Sequence, residues 1–277
     1  MLKRRLLTAA LLIILIVLEI LYLNSTTLAV IFAIVVALSA WEWAGLSGYL
    51  ARAQRIGYVA IVLFLLILVY SAHSFWPTAI TVFLLSAAVL WWLIAAYWVL
   101  RYQQQCDLLP NSSPLRAWLG GVVLIPSWLA VYQLHQQYGE YWVLFLFVLI
   151  WGADTGAYAA GRLWGRHKLA SHVSPGKTWE GFAGALLVGA LFAGGAAYFW
   201  LDESEALYQI GFVLLSLATV VVSVLGDLLE SLFKRKAGVK DSGQILPGHG
   251  GMLDRIDSLT SAAPFFLAGL LLMGSLS

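Results

Sequence analysis

Charge is scarce in this chain. Of 277 residues, 16 are Lys or Arg and 14 are Asp or Glu, 11% in all, against roughly 25% in an ordinary soluble domain. A water-soluble surface cannot be built from so few charged groups. The formal net charge of +2 gives no electrostatic case for a nucleic-acid partner, and none is expected. Cysteine is nearly absent: Cys106 stands alone, which excludes an intramolecular disulfide, and its polar surroundings give it no catalytic pattern. No repeat of fixed period and no low-complexity tract interrupts the chain.

Apolar length is abundant instead. Hydrophobic residues make up 61%, with 13 Trp, 12 Tyr and 13 Phe, and an aromatic content that high excludes a disordered chain. A helical membrane span takes about 20 apolar residues. Nine runs qualify: 6–23, 28–46, 56–71, 77–100, 116–134, 141–159, 180–200, 209–226 and 259–273. Lys3, Arg4 and Arg5 before the first run mimic a signal peptide, but more membrane follows, so the run reads as a retained span. The expected fold is an all-α polytopic membrane protein of about nine transmembrane helices.

Orientation follows from the basic residues. With the N-terminus in the cytoplasm and the C-terminus on the outer side, all 16 Lys and Arg fall before the first span or in and beside the inner connections. The outer connections, including Asp202-Glu203-Ser204-Glu205, hold none, as the positive-inside rule requires. Acidic residues divide along the chain as well. Residues 1–150 carry 4 of the 14, Glu19, Glu42, Asp107 and Glu140, and the remainder carries 10. Two regions are therefore expected, N-terminal membrane helices over 1–150 and a C-terminal membrane region over 151–277, the candidate catalytic region if the chain carries polar chemistry, with cytoplasmic loops at 160–180 and 227–258. Glu42, between Trp41 and Trp43, reads as a side chain that snorkels to the interface, and Glu19 reads the same way.

Around residues 226–238 apolar and polar positions alternate at helical spacing, so the eighth helix is expected to continue past the membrane with Asp227, Ser231 and Lys234 on one stripe. A carboxylate, a hydroxyl and an ammonium at headgroup depth suit a metal and a phosphate together. The next stretch, 240–251, is a loop by its glycines and Pro247, and glycine lets backbone N–H groups approach an anion closely. It leads to Asp254-Arg255-Ile256-Asp257, two carboxylates three residues apart. Such a pair repels unless a cation lies between, and hard cations such as Mg²⁺ take carboxylate oxygen. In the other long inner connection, Ser174-Pro175 reads as an N-cap and first helical position, which would seat Lys177 in a first turn beside free backbone donors. Gly176-Lys177-Thr178 is not a Walker A loop, because the first glycine would fall at Ser171. Asp154, an ionisable residue near the inner end of the sixth span, is expected to face a cavity or a partner.

The segment from Ser231 to Asp257 reads S-x-F-K-R-x4-K-D-x-G-x2-L-P-G-H-G-G-M-x-D-R-I-D. It resembles the signature of the phosphatidate cytidylyltransferases, also called CDP-diacylglycerol synthases, without a departure. The resemblance extends upstream through Gly226-Asp227, Ser174 to Glu180 and Asp154 to Gly161, about the last 125 residues, while residues 1–150 match only in hydrophobic character. It implies the reaction of CTP with phosphatidate to give CDP-diacylglycerol and pyrophosphate. It also implies Mg²⁺ dependence with two cation sites, a homodimer, and residence in a bacterial inner membrane with the site at the cytoplasmic interface. By the family pattern Asp227 and Asp254 would hold metal, with Asp257 as a third candidate.

Phosphatidate brings its own nucleophile, a phosphate monoester with a second pKa of about 6, so no general base is needed. The barrier is electrostatic, an anion attacking the α-phosphorus of a triphosphate. Lys234, Arg235, Lys240, Arg255 and Lys177 are the expected phosphate contacts, with Asp241 among the loop's catalytic candidates. His249 is expected to shape the loop or touch phosphate. Ser174, Ser231, Gly250, Gly251 and Asp154 are expected to line the substrates. A CDP-alcohol phosphotransferase would show a D-G-x2-A-R start, which is absent. A lipid kinase would transfer the γ-phosphate. A transporter would carry ionisable groups at mid-membrane and paired broken helices in two halves, whereas here the charges crowd at the inner ends.

Overall fold

A computed structural model describes residues 13–104, 107–201, 206–245 and 250–274. Nine helices lie among them: α1 (Ile13–Tyr22), α2 (Ser25–Leu46), α3 (Arg52–Phe75), α4 (Pro77–Gln103), α5 (Ser113–Tyr138), α6 (Glu140–Trp164), α7 (Trp179–Trp200), α8 (Ala206–Lys236) and α9 (Leu253–Gly274). The eight from α2 to α9 are each long and apolar enough to cross a membrane, so the protein is an integral membrane protein with an all-α polytopic body. The first expected span falls partly outside the described residues, which cover it from Ile13.

Most helix ends have local causes. Asn24 caps α2 by accepting from the Thr27 amide, Pro lies in the first turn of α4 and α5, and Gly139, at φ 92°, makes the corner between α5 and α6. Pro126 and Pro264 sit inside α5 and α9, which membrane helices tolerate where neighbouring groups satisfy the freed carbonyls.

The two halves share one core. α5, the most enclosed helix, packs on α2 and on α9, while α6 lies on α7 and α8 on α9. α3 and α7 turn most of their surface outward, with Ile61, Phe64, Ile67, Leu187 and Leu191 exposed, as lipid-facing helices do. With no hydrophobic drive between helices in lipid, close backbone approach does the work. A Cβ on Gly184 would sit 2.6 Å from the Gly156 carbonyl, and one on Gly226 would sit 2.5 Å from the Asp257 carbonyl. Gly226 therefore brings α8 against α9 one residue before Asp227.

One expectation is overturned in the 160–180 connection. Ser174–Thr178 is a strand, β2, antiparallel to β1 (Lys168–Ala170), with Lys168 opposite Thr178 and Ala170 opposite Ser174. Helix α7 begins only at Trp179, because Thr178 is the cap and its hydroxyl accepts from the Gly181 amide at 3.1 Å. Glu180 fixes the hairpin's base, accepting from the Arg166 and His167 amides at 3.1 and 3.2 Å. Lys177 thus rides on a strand, not in a helical first turn.

Candidate active site

α8 runs unbroken to Lys236, so the stripe expected from the spacing is real: the Ser231 hydroxyl donates to Asp227 Oδ1 at 3.1 Å. Lys177 reaches across from β2, its Nζ 2.8 Å from Asp227 Oδ2. Lys234, 7% exposed, donates to Glu230 Oε2 at 3.0 Å on its own helix and to Asp254 Oδ1 at 2.7 Å on α9. An ammonium buried so deeply persists only when paired. That ammonium pairs with Asp254, whereas Asp227 pairs with Lys177 and feels Lys234 only at longer range.

Asp254 is fully engaged. Its Oδ2 accepts from the Gly251 amide at 2.8 Å, the Ser242 amide at 3.0 Å and the Ser242 hydroxyl at 2.9 Å, so it clamps both described ends of the glycine-rich loop. Asp257, one turn on, accepts from the Ser258 amide at 2.7 Å and faces Glu230 of α8, with Asp227 within electrostatic range. Asp154 of α6 is exposed and interacts with Lys177 and Asp227. The C-terminal ends of α6 and α8 and the start of α9 therefore gather Asp154, Asp227, Glu230, Asp254 and Asp257 around Lys177 and Lys234. Five carboxylates meet two ammoniums, and Glu230 Oε1 is buried with no donor among the described residues.

Other expected residues serve the frame. Arg235 donates from Nε to the Val173 carbonyl at 3.1 Å, tying the hairpin to α8. Gly250, at φ 81°, makes a turn that side chains resist, and Asp241 lies beside it. Gly251 leaves room for Glu42 and Ser242, whose side-chain oxygens a Cβ there would strike. Lys240 and Arg255 are exposed, and Ser174 opens β2 on the same strand as Lys177. His249 lies outside the described residues.

Glu42 corrects the snorkelling expectation. It is 2% exposed, and its Oε2 accepts from the Leu253 amide at 2.8 Å and the Ser242 hydroxyl at 3.1 Å. A free donor at the start of α9 needs an acceptor, and α2 supplies it. Neighbouring Trp43 packs its ring 4.7 Å from Phe233 and donates from its indole to the Arg116 carbonyl at 2.8 Å, which holds the carboxylate in place. Glu42, Glu230 and Ser242 are the site residues that sequence reasoning missed. The signal for Glu42 was available, since an ionisable residue inside a span is a functional candidate by default.

Among the described residues no three or more His, Cys, Asp or Glu side chains stand as a ready metal cage. The donor set nevertheless fits Mg²⁺, which takes one or two carboxylates and fills its sphere with water and substrate phosphate. The oxygens are hard, carboxylates outnumber ammoniums, and among the described residues two buried carboxylate oxygens, Glu42 Oε1 and Glu230 Oε1, have no donor.

The chain is also similar to known proteins. A match to the Cytidylyltransferase family covers residues 3–273. A phosphatidate cytidylyltransferase of Pseudomonas aeruginosa is 40% identical over 270 residues, 97% of this chain and 96% of the relative. One of Haemophilus influenzae is 39% identical over 283 aligned residues, 96% and 97% of the two chains. One of Bacillus subtilis is 44% identical over 129 residues, 47% of each. The first two alignments carry the likeness well beyond the last 125 residues, into the helices where Glu42 lies. From α1 to α9, the chain belongs to the Cytidylyltransferase family.

Proposed function

We propose that the chain transfers the cytidylyl group of CTP to phosphatidate, releasing pyrophosphate and leaving CDP-diacylglycerol in the membrane. The observation that carries the reading is the carboxylate and ammonium cluster where the C-terminal ends of α6 and α8 meet the start of α9, on a membrane body whose relatives bear that activity's name. An attacking lipid phosphate oxygen forms a bond to the α-phosphorus of CTP, and the bond from that phosphorus to the β-phosphate bridging oxygen breaks. No proton must be removed, so the site needs no general base.

Mg²⁺, when bound, would neutralise the triphosphate and polarise its phosphorus. Asp227 and Asp257 are the proposed holders, with Glu230 behind them and Asp254 anchoring the loop. A second cation site is proposed within the same acidic group. Lys177 is the ammonium on the open side, partly accessible and paired with Asp227, so it is placed to meet a phosphate. Lys234 fixes α8 to α9 from below. The site is proposed to face the cytoplasm from a bacterial inner membrane, in a homodimer.

The test is positional labelling. Purified protein in detergent receives phosphatidate, Mg²⁺ and CTP labelled at either the α- or the γ-phosphate. Label from the α position is expected in the extracted lipid and label from γ in pyrophosphate. Transfer of γ-label to lipid would make the protein a lipid kinase and overturn the proposal.

A further inference from the structure

A cavity of about 410 Å³ lies on the other side of the first turn of α9 from the carboxylate cluster. Asp254 and Asp257 look toward α8, while Met252, Arg255 and Ile256 of the same stretch form the cavity's end. From there it follows one face of α2, through Val35, Phe32, Ile31 and Leu28. That face rises about 10 Å at 1.5 Å per residue. α1 closes one wall with Ile16 and Ile20, and α6 closes another with Phe147 and Val143.

Of the lining residues, two are ionisable. Arg255 lies at the end beside the site. Glu19 lies on α1 next to Ile20, whose carbonyl is 3.2 Å from His135 Nε2 in the last turn of α5, away from the start of α9. The volume falls within the range of about 300–1,000 Å³ for small-molecule pockets. A long apolar chamber with a guanidinium at the end nearest the catalytic cluster is the complement of an amphiphile whose anionic head must reach that cluster.

We infer that this cavity holds one acyl chain of the lipid substrate, with Arg255 beside the headgroup and the α2 face from Val35 to Leu28 setting how much chain is accepted. The inference rests on the reaction proposed above and deepens it. It also gives α1 and α2 a task, since these helices contribute most of the apolar lining while α8 and α9 carry the reacting groups.

The experiment compares cytidylyl transfer to dihexanoyl and dioleoyl phosphatidate at equal mole fraction in mixed micelles. The enzymes are the wild type, Leu28→Trp at the far end of the cavity, the milder Leu28→Phe and the lipid-facing control Ile34→Trp, 57% exposed on the same helix at the wild-type residue. Each buried methylene contributes to affinity, so excluding two or three at the far end should lower the ratio of kcat/KM for dioleoyl to dihexanoyl substrate on the order of tenfold in Leu28→Trp. Leu28→Phe should lower the ratio less, and Ile34→Trp should leave it unchanged. If Leu28→Trp fails to fold by thermal melting in detergent, Leu28→Phe decides. An unchanged ratio in a folded Leu28 variant means that the cavity holds only bulk lipid and overturns the inference. A wild type that makes CDP-lipid from neither substrate would instead overturn the reaction, so the two failures are distinguishable.

Discussion

Glu42 of α2 and Leu253 of α9 are 211 residues apart in the chain and joined by a 2.8 Å hydrogen bond from the Leu253 amide to Glu42 Oε2. The same oxygen accepts from Ser242, whose hydroxyl also reaches Asp254. An acidic residue of α2 therefore sets where the glycine-rich loop ends and α9 begins. Both Asp254 and Asp257 depend on that placement.

Glu42→Ala should remove an acceptor from a buried amide and a hydroxyl, at about 1–3 kcal/mol for each donor left without a partner. Thermal unfolding in detergent should show the loss, and turnover should fall with it. Glu42→Gln keeps an oxygen for Leu253 and should retain most of the stability. Gly251→Ala should resemble Glu42→Ala, because its Cβ would meet the Glu42 carboxylate and Ser242. Equal stability of Glu42→Ala and the wild type would return Glu42 to an ordinary interfacial residue.

Lys234 bonds two carboxylates with little water near it. Lys234→Met leaves Glu230 and Asp254 without their cation, and breaking a buried pair costs about 3–5 kcal/mol. Adding Glu230→Gln to Lys234→Met should restore part of that loss by removing one of the stranded charges. The check is a double-mutant cycle on melting temperature. Strict additivity of the two changes would mean that Lys234 and Glu230 do not act on each other.

The α8 stripe was legible because helical spacing survives past the membrane: Asp227, Ser231 and Lys234 carry it in sequence and in space. The strand at Ser174–Thr178 was not, because Ser174 and Thr178 are both plausible caps and Pro175 favours the wrong one. The deciding interactions are the pairing with Lys168–Ala170 and the grip of Glu180 on the Arg166 and His167 amides, neither of which a linear pattern reveals. Glu42 was misread for a similar reason. Local sequence places it in an aromatic belt, and only the return of the chain at Leu253 makes its carboxylate a buried acceptor.

The charge asymmetry gives a topology that can be measured. All 16 basic residues lie on the side assigned to the cytoplasm. Reporters active in one compartment only, fused after Asn111 and at the C-terminus, should give opposite signals. Matching signals would require one span fewer or more than nine.

Asp227 and Asp254 were expected to do the same work, and the geometry gives them different partners. Asp227 faces Lys177 and Ser231 on the accessible side, whereas Asp254 is bound by Lys234, Ser242 and Gly251. Asp227→Asn should nearly abolish turnover or raise its Mg²⁺ requirement while leaving the melting temperature close to the wild type. Asp254→Asn should abolish turnover and also lower the melting temperature, since a neutral amide holds Lys234 less well and presents its NH2 group to one set of donors. If both residues serve one cation-dependent centre, the double variant should be scarcely less active than either single one, because effects of groups acting as a unit do not add. Chelation should silence the wild type and added Mg²⁺ restore it. Near-wild-type activity of Asp227→Asn at ordinary Mg²⁺ would remove Asp227 from the metal-holding set and leave Asp257 with Glu230, the carboxylates that face each other between α8 and α9.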